Sequence, residues 1–137
     1  MFVTFSIDLP RDATASQLAR QQVADRLVAT LEPPVLADVM LAVSELVTNA
    51  LLHGTGQIEL HIEVDDRSVR GEVIDAGRGL EQRIRDQGVE APGLQIVGRV
   101  AQKWGVFQGT THVWFEILLT GENPLVGEPP PGRLSES

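Results

Sequence analysis

A chain of 137 residues, 42% of them hydrophobic, suits one domain with a real core and is too short for two ordinary ones. It has no cysteine, which excludes disulfides, thiolate zinc sites and cysteine nucleophiles. A net charge of −8 sets the surface against phosphate backbones, so direct nucleic-acid binding is not expected, and the single lysine, Lys103, leaves neither a P-loop lysine nor the strand lysine of protein kinases.

Residues 2–8 alternate Phe, Val, Phe and Ile with smaller or polar neighbours and read as a strand that Pro10 ends. Residues 15–31 read as a helix. Leu18, Val23, Leu27, Val28 and Leu31 lie on one side of it and Arg20, Gln21, Asp25 and Arg26 on the other, with Thr14 or Ser16 as the cap. Pro33 and Pro34 separate it from a second helix over 36–53, because proline is well placed just before a helix.

The second helix carries the most information. At 100° per residue, Val39, Met40, Val43, Leu46, Val47 and Ala50 share a broad apolar face, and Leu41 and Leu52 lie almost opposite. A helix apolar on both sides is expected to be mostly buried. Asp38, Glu45, Asn49 and His53 fall on one narrow polar stripe. That stripe is either a pocket wall or a solvated face that ends near a turn, and the helix alone does not decide between them.

Gly54-Thr55-Gly56 stops the helix. Residues 57–64 then alternate strictly, with Ile58, Leu60, Ile62 and Val64 on one face and Glu59, His61 and Glu63 on the other, the clearest strand in the chain. Asp65-Asp66 turns the chain into an antiparallel strand over 68–74, which runs into Asp75-Ala-Gly77-Arg-Gly79. Residues 80–92 have poor periodicity and read as a mobile loop. Residues 93–103 read as a helix packing Leu94, Val97, Val100 and Ala101, where Gly98 costs on the order of 1 kcal/mol and signals close packing. Two final strands, 104–108 and 112–119, flank Gly109-Thr-Thr111.

The expected organisation is one domain over 1–120 and a tail over 121–137, rich in proline, glycine and acids, that is expected to be disordered. Strands in antiparallel pairs with helices grouped between them predict an α/β two-layer sandwich, a mostly antiparallel sheet with helices on one face. Without a basic n-region, a signal-length apolar run or a stretch approaching the ~18 apolar residues of a membrane span, the expectation is a soluble, cytoplasmic protein.

Two further features can carry chemistry. An aspartate at a strand end, followed by glycines, can accept a hydrogen bond from an exocyclic amine while the glycines admit a flat ring. Taken alone, Asp75-x-Gly77-x-Gly79 is equally an ordinary Asp-Gly turn. Gly93 opens a helix, where free amides favour phosphate oxygens, although in isolation it reads as a plain N-cap glycine.

In sequence these elements form a pattern: Glu45-x-x-x-Asn49-x-x-x-His53, Asp75-x-Gly77-x-Gly79, Gly93-Leu-Gln-Ile-Val97 and Gly109-Thr-Thr111. They resemble the N, G1, G2 and final glycine boxes of the GHKL ATPase superfamily, which includes gyrase, the heat-shock chaperone ATPase, histidine kinases and the mismatch-repair ATPase. The resemblance runs from Phe2 to about Leu119. The small size and the run Ser44-Glu-Leu-Val-Thr-Asn49-Ala look most like the anti-sigma-factor serine/threonine kinases of bacteria.

This resemblance implies a Bergerat-type ATP-binding fold with ATP and Mg²⁺ as cofactors. By position, Glu45 would be the general base, and Asn49 would hold Mg²⁺ through the phosphates. Asp75 would accept the adenine amine in a pocket shaped by Gly77 and Gly79. Residues 80–92 would be the ATP lid, with Arg83 or Arg85 as a charge-neutralising lid arginine. The amides of Gly93 and Leu94 would contact phosphate, Thr111 would sit beside the adenine site, and His53 would be structural. The implied partners are a sigma factor and a STAS-type anti-anti-sigma protein, and the resemblance is compatible with a homodimer. The chemistry fits the residue types: a carboxylate four residues from a metal-binding amide places both near one γ-phosphate.

One departure is visible. Ala91-Pro92 stands where the family often has another glycine, and Pro92 has no amide hydrogen to donate to phosphate. A non-catalytic ATP-binding module that regulates a partner by sequestration is therefore the alternative to a kinase. The catalytic half of a histidine kinase fits poorly, since His53, His61 and His112 lie at a helix end or in strands rather than in a dimerising hairpin.

Overall fold

In the computed structural model the residues described are 2–76, 94–106 and 113–119. The sheet has five strands: β1 (Val3–Leu9), β2 (Ile58–Val64), β3 (Ser68–Ile74), β4 (Lys103–Val106) and β5 (Val113–Leu118). Their order is β1-β2-β3-β5-β4, and every pairing is antiparallel. The helices are α1 (Ala15–Leu27), α2 (Pro33–His53) and α3 (Leu94–Val100).

The alternation in β2 has its expected effect. Ile58, Leu60, Ile62 and Val64 are buried, while His61 and Glu63 stand on the other face. In register with β1, Phe5 pairs with Ile62 and Ile7 with Leu60, so the apolar rows of the two strands fall on the same face. α1 packs on β1 and α2, and α2 in turn packs on β3, β5 and α3. The core between helices and sheet holds Val39, Val43, Leu46 and Val47 of α2 against Val69, Val73, Phe115 and Ile117. The two-layer α/β architecture is thus as expected.

Several local readings are corrected. α1 ends at Leu27 rather than residue 31. The amides of Thr30 and Leu31 both bond to Leu27 O (2.9 and 3.0 Å) in a closing turn. The following Glu32 is extended (φ −61°, ψ 146°), as a residue before proline must be. Thr14, one of the two expected caps, stands at the N-cap of α1, but its side chain makes no capping bond. Asp12 Oδ1 accepts the Thr14 amide at 2.8 Å. α2 starts at Pro33, earlier than expected, because the first-turn amides that proline lacks have no intrahelical partner anyway.

The two-sided burial predicted for α2 does not hold. Leu41 is 40% and Leu52 67% exposed, so the apolar side chains opposite the core flank an open face. By length and hydropathy, residues 33–52 could also cross a membrane, contrary to expectation, but 44% of that window is buried against the rest of the domain. Close packing at Gly98 is borne out, since a Cβ there would lie 3.1 Å from Trp104 Nε1.

The β2–β3 turn is held by Asp65, whose Oδ1 accepts the amides of Arg67 (2.7 Å) and Ser68 (2.9 Å). These two bonds hold its carboxyl below the ordinary value of 3.8. A depressed folded pKa adds stability above the unfolded value and loses it as pH falls through the folded one. Asp65→Ala is therefore expected to lower the urea midpoint at pH 7. The gap to wild type should close as the pH is taken below about 3.8 in parallel denaturation series.

Candidate functional site

The candidate site residues gather at the C-terminal half of α2. Glu45 and Asn49 are one turn apart and so share a face. Asn49 is only 3% exposed, and its Nδ2 donates to Glu45 O at 3.1 Å. That bond fixes the amide plane and does not use the side-chain oxygen, the atom able to ligate a hard cation. Glu45 is half-buried, and its carboxylate has no hydrogen-bond or salt-bridge partner among the described residues.

Asp75 follows directly on β3 and lies against the end of α2. Its side chain is fully buried. Gly54, the C-cap of α2, makes room for it: a Cβ there would sit 1.5 Å from Asp75 Oδ2. Gly56 takes φ +75°, and the Ala76 amide donates to Thr55 O at 2.9 Å, so the turn 54–56 is tied to the strand end carrying Asp75. The stripe on α2 and the aspartate, 26 positions beyond Asn49 in the chain, are thereby joined through the C-terminal turn of one helix. His53 ends that helix, but its side chain is outside the described set.

Gly77, Gly79, residues 80–92, Gly93 and Thr111 also lie outside the described residues. Leu94 is the first residue of α3, with only its backbone described. Asp38, on the same stripe, is half-buried, and burial pushes its carboxyl above 3.8.

Sequence reasoning missed two sets of residues. Arg11 bonds Asp75 Oδ2 at 3.0 Å and reaches three main-chain carbonyls around the end of α2. Between the first turns of α1 and the C-terminal half of α2, Arg20 donates to Ser44 Oγ at 2.7 Å, and Ser16 and Thr48 hydroxyls meet at 2.9 Å. The sequence placed Arg20 on the polar side of its helix, and its partner is 24 residues away. A separate groove on the outer sheet face, lined by Ser6, His61, Glu63, Arg70 and Glu72, is remote from these residues.

Comparison with known proteins gives three findings. Residues 9–107, well over half of the chain, match the family described as the histidine kinase-like ATPase domain. Anti-sigma F factors of two Clostridium botulinum strains, Eklund 17B (Type B) and Alaska E43 (Type E3), are each 40% identical over 61 residues. The match takes in 39% of this chain and 43% of theirs, so it spans less than half the length of those relatives. The crystal structure of the RsbU and RsbW domains of Rv1364c from Mycobacterium tuberculosis superposes with a TM-score of 0.63 at 19% identity, covering 98% of this chain and 35% of that one. At that identity it shows a shared fold.

Proposed function

The chain belongs to the histidine kinase-like ATPase domain family, and from that premise we propose that it is an ATP-binding regulator, an anti-sigma factor that phosphorylates a serine or threonine on a STAS-type anti-anti-sigma partner in the cytoplasm. The observation that carries the reading is the pairing on α2: the Glu45 carboxylate, which has no partner among the described residues, stands one turn from Asn49, whose amide is locked by its bond to Glu45 O. The anti-sigma F relatives supply the regulatory context.

The residues fit the implied ligands. Asp75 is a buried acceptor for the adenine amine. Asn49 would hold Mg²⁺ through its side-chain oxygen, which takes no part in the bond from Nδ2 to Glu45 O. When bound, Mg²⁺ would neutralise phosphate charge. Glu45 would accept the hydroxyl proton as the oxygen–phosphorus bond forms and the bond to the ADP leaving group breaks. The amides of Gly93 and Leu94 would hold phosphate, and Gly77, Gly79 and Thr111 would line the base pocket.

The test is to incubate the chain with a serine-bearing STAS protein and γ-labelled ATP. Transfer of label to that serine is expected, and no transfer overturns the kinase reading. ATP binding without transfer to any partner would select a non-catalytic module acting by sequestration, the reading that Pro92 favours because it cannot donate to phosphate.

A further inference from the structure

Arg11 belongs to none of the motifs above. It sits between β1 and α1, in the turn Pro10-Arg11-Asp12, yet it donates to three separate segments. Nε bonds Gly56 O at 2.6 Å, Nη1 bonds Ala50 O at 2.9 Å and Leu51 O at 3.4 Å, and Nη2 bonds Asp75 Oδ2 at 3.0 Å.

Three of the four acceptors are main-chain carbonyls. The end of α2 and the turn after it therefore place the guanidinium, and Asp75 does not. Ala50 and Leu51 lie in the last turn of α2, where the helix dipole favours a cation, and Arg11 adds a second donor to the Ala50 carbonyl, which also accepts the Gly54 amide at 2.9 Å. A planar fork pinned at Nε and Nη1 has its remaining nitrogen fixed in direction. Nη2 then meets the fully buried Asp75 carboxylate, which Gly54 backs so closely that a methyl there would overlap the same oxygen.

We propose that Arg11 is a positioning residue for Asp75: anchored on the C-terminal turn of α2, it fixes the plane of the carboxylate and so sets the preference of the site for a purine with an exocyclic amine over one with a keto oxygen. The inference rests on the reading of Asp75 as the base acceptor. A carboxylate attracts an amine and repels a keto oxygen, and the discrimination depends on holding it at hydrogen-bond geometry. Lysine cannot replace Arg11 here. Its ammonium keeps the charge but cannot hold a plane against three carbonyls at once.

The experiment measures Mg²⁺-dependent affinities for ATP and inosine triphosphate, by calorimetry on the full chain, for wild type, Arg11→Lys, Arg11→Met and Asp75→Asn. Wild type is expected to prefer ATP by at least about tenfold. Both Arg11 variants should cut that preference by about tenfold, through weaker ATP binding, with inosine triphosphate affinity within about threefold of wild type. Asp75→Asn should abolish or invert the preference, since an amide can donate to the keto oxygen. A uniform loss for both nucleotides, or an unchanged ratio, in the Arg11 variants while Asp75→Asn loses the preference would overturn the role of Arg11 and leave Asp75 as acceptor. An unchanged ratio in Asp75→Asn would overturn the acceptor reading itself, and this proposal with it. Should Arg11→Met not fold, Arg11→Lys decides by the same ratio.

Discussion

Glu45→Ala is expected to slow phosphoryl transfer to a serine-bearing partner by about a thousandfold while leaving ATP affinity within about twofold of wild type. The reason is where the carboxylate stands. Glu45 is half-buried on the open side of α2, and it bonds no other side chain among the described residues. Asn49 is held by the main-chain oxygen of Glu45, which alanine keeps. Alanine is also the best helix former, so α2 is not weakened. What the substitution removes is the proton acceptor, and a positioned base contributes about 10²–10⁴ in rate. Single-turnover transfer with labelled ATP, run beside an ATP titration, separates the two quantities. A variant that transfers within tenfold of wild type would remove Glu45 from the chemistry.

Gly54→Ala is expected to destabilise the domain by about 3 kcal/mol, at the low end for breaking a buried ion pair because Arg11 is partly exposed. Gly54 has φ −101°, which alanine adopts without strain, so the effect is purely one of space. The added methyl would lie 1.5 Å from Asp75 Oδ2 and 2.4 Å from its Cγ. The carboxylate must move and Arg11 loses it. Gly56→Ala is the control. Its φ of +75° and a Cβ 2.9 Å from that of Ala76 cost about 1 kcal/mol of local strain without touching Asp75. Urea unfolding gives the two stabilities, and an ATP titration should show at least a tenfold loss for Gly54→Ala and a smaller one for Gly56→Ala, whose carbonyl anchors Arg11. Equal stabilities for both variants would contradict the account of this turn.

The layered fold was legible in the sequence wherever one face of an element is polar and the other apolar. β2 is the clear case, because strict alternation reports a half-buried strand directly. α2 was legible as a helix, but not the exposure of Leu41 and Leu52. A wheel shows which residues share a side and cannot show whether a neighbour covers it. The end of α1 was misjudged because Val28 and Leu31 continue the apolar pattern, while the backbone is already committed to the extended Glu32 before Pro33.

Of the candidate site, Glu45, Asn49 and Asp75 were singled out in the sequence as residues of the boxes it resembles, and the structure ties the α2 turn to the strand end that bears Asp75. Arg11 was not legible. Its partners lie 39 to 64 residues away, and an arginine in a Pro-Arg-Asp turn reads as solvated. The signal that was present is faint: a basic residue just after a strand in a strongly acidic chain. Arg20 was hidden in the same way, since helical periodicity assigns it a side of α1 but not its partner on α2.

The central claim is that the end of α2 and the start of the Asp75 turn form a purine nucleotide site. Calorimetric titration of ATP with Mg²⁺ into wild type and Asp75→Asn tests it most directly. Saturable binding to wild type, and binding at least tenfold weaker to the variant, is the predicted result. Equal affinity in the two proteins, or no binding to either, would contradict it.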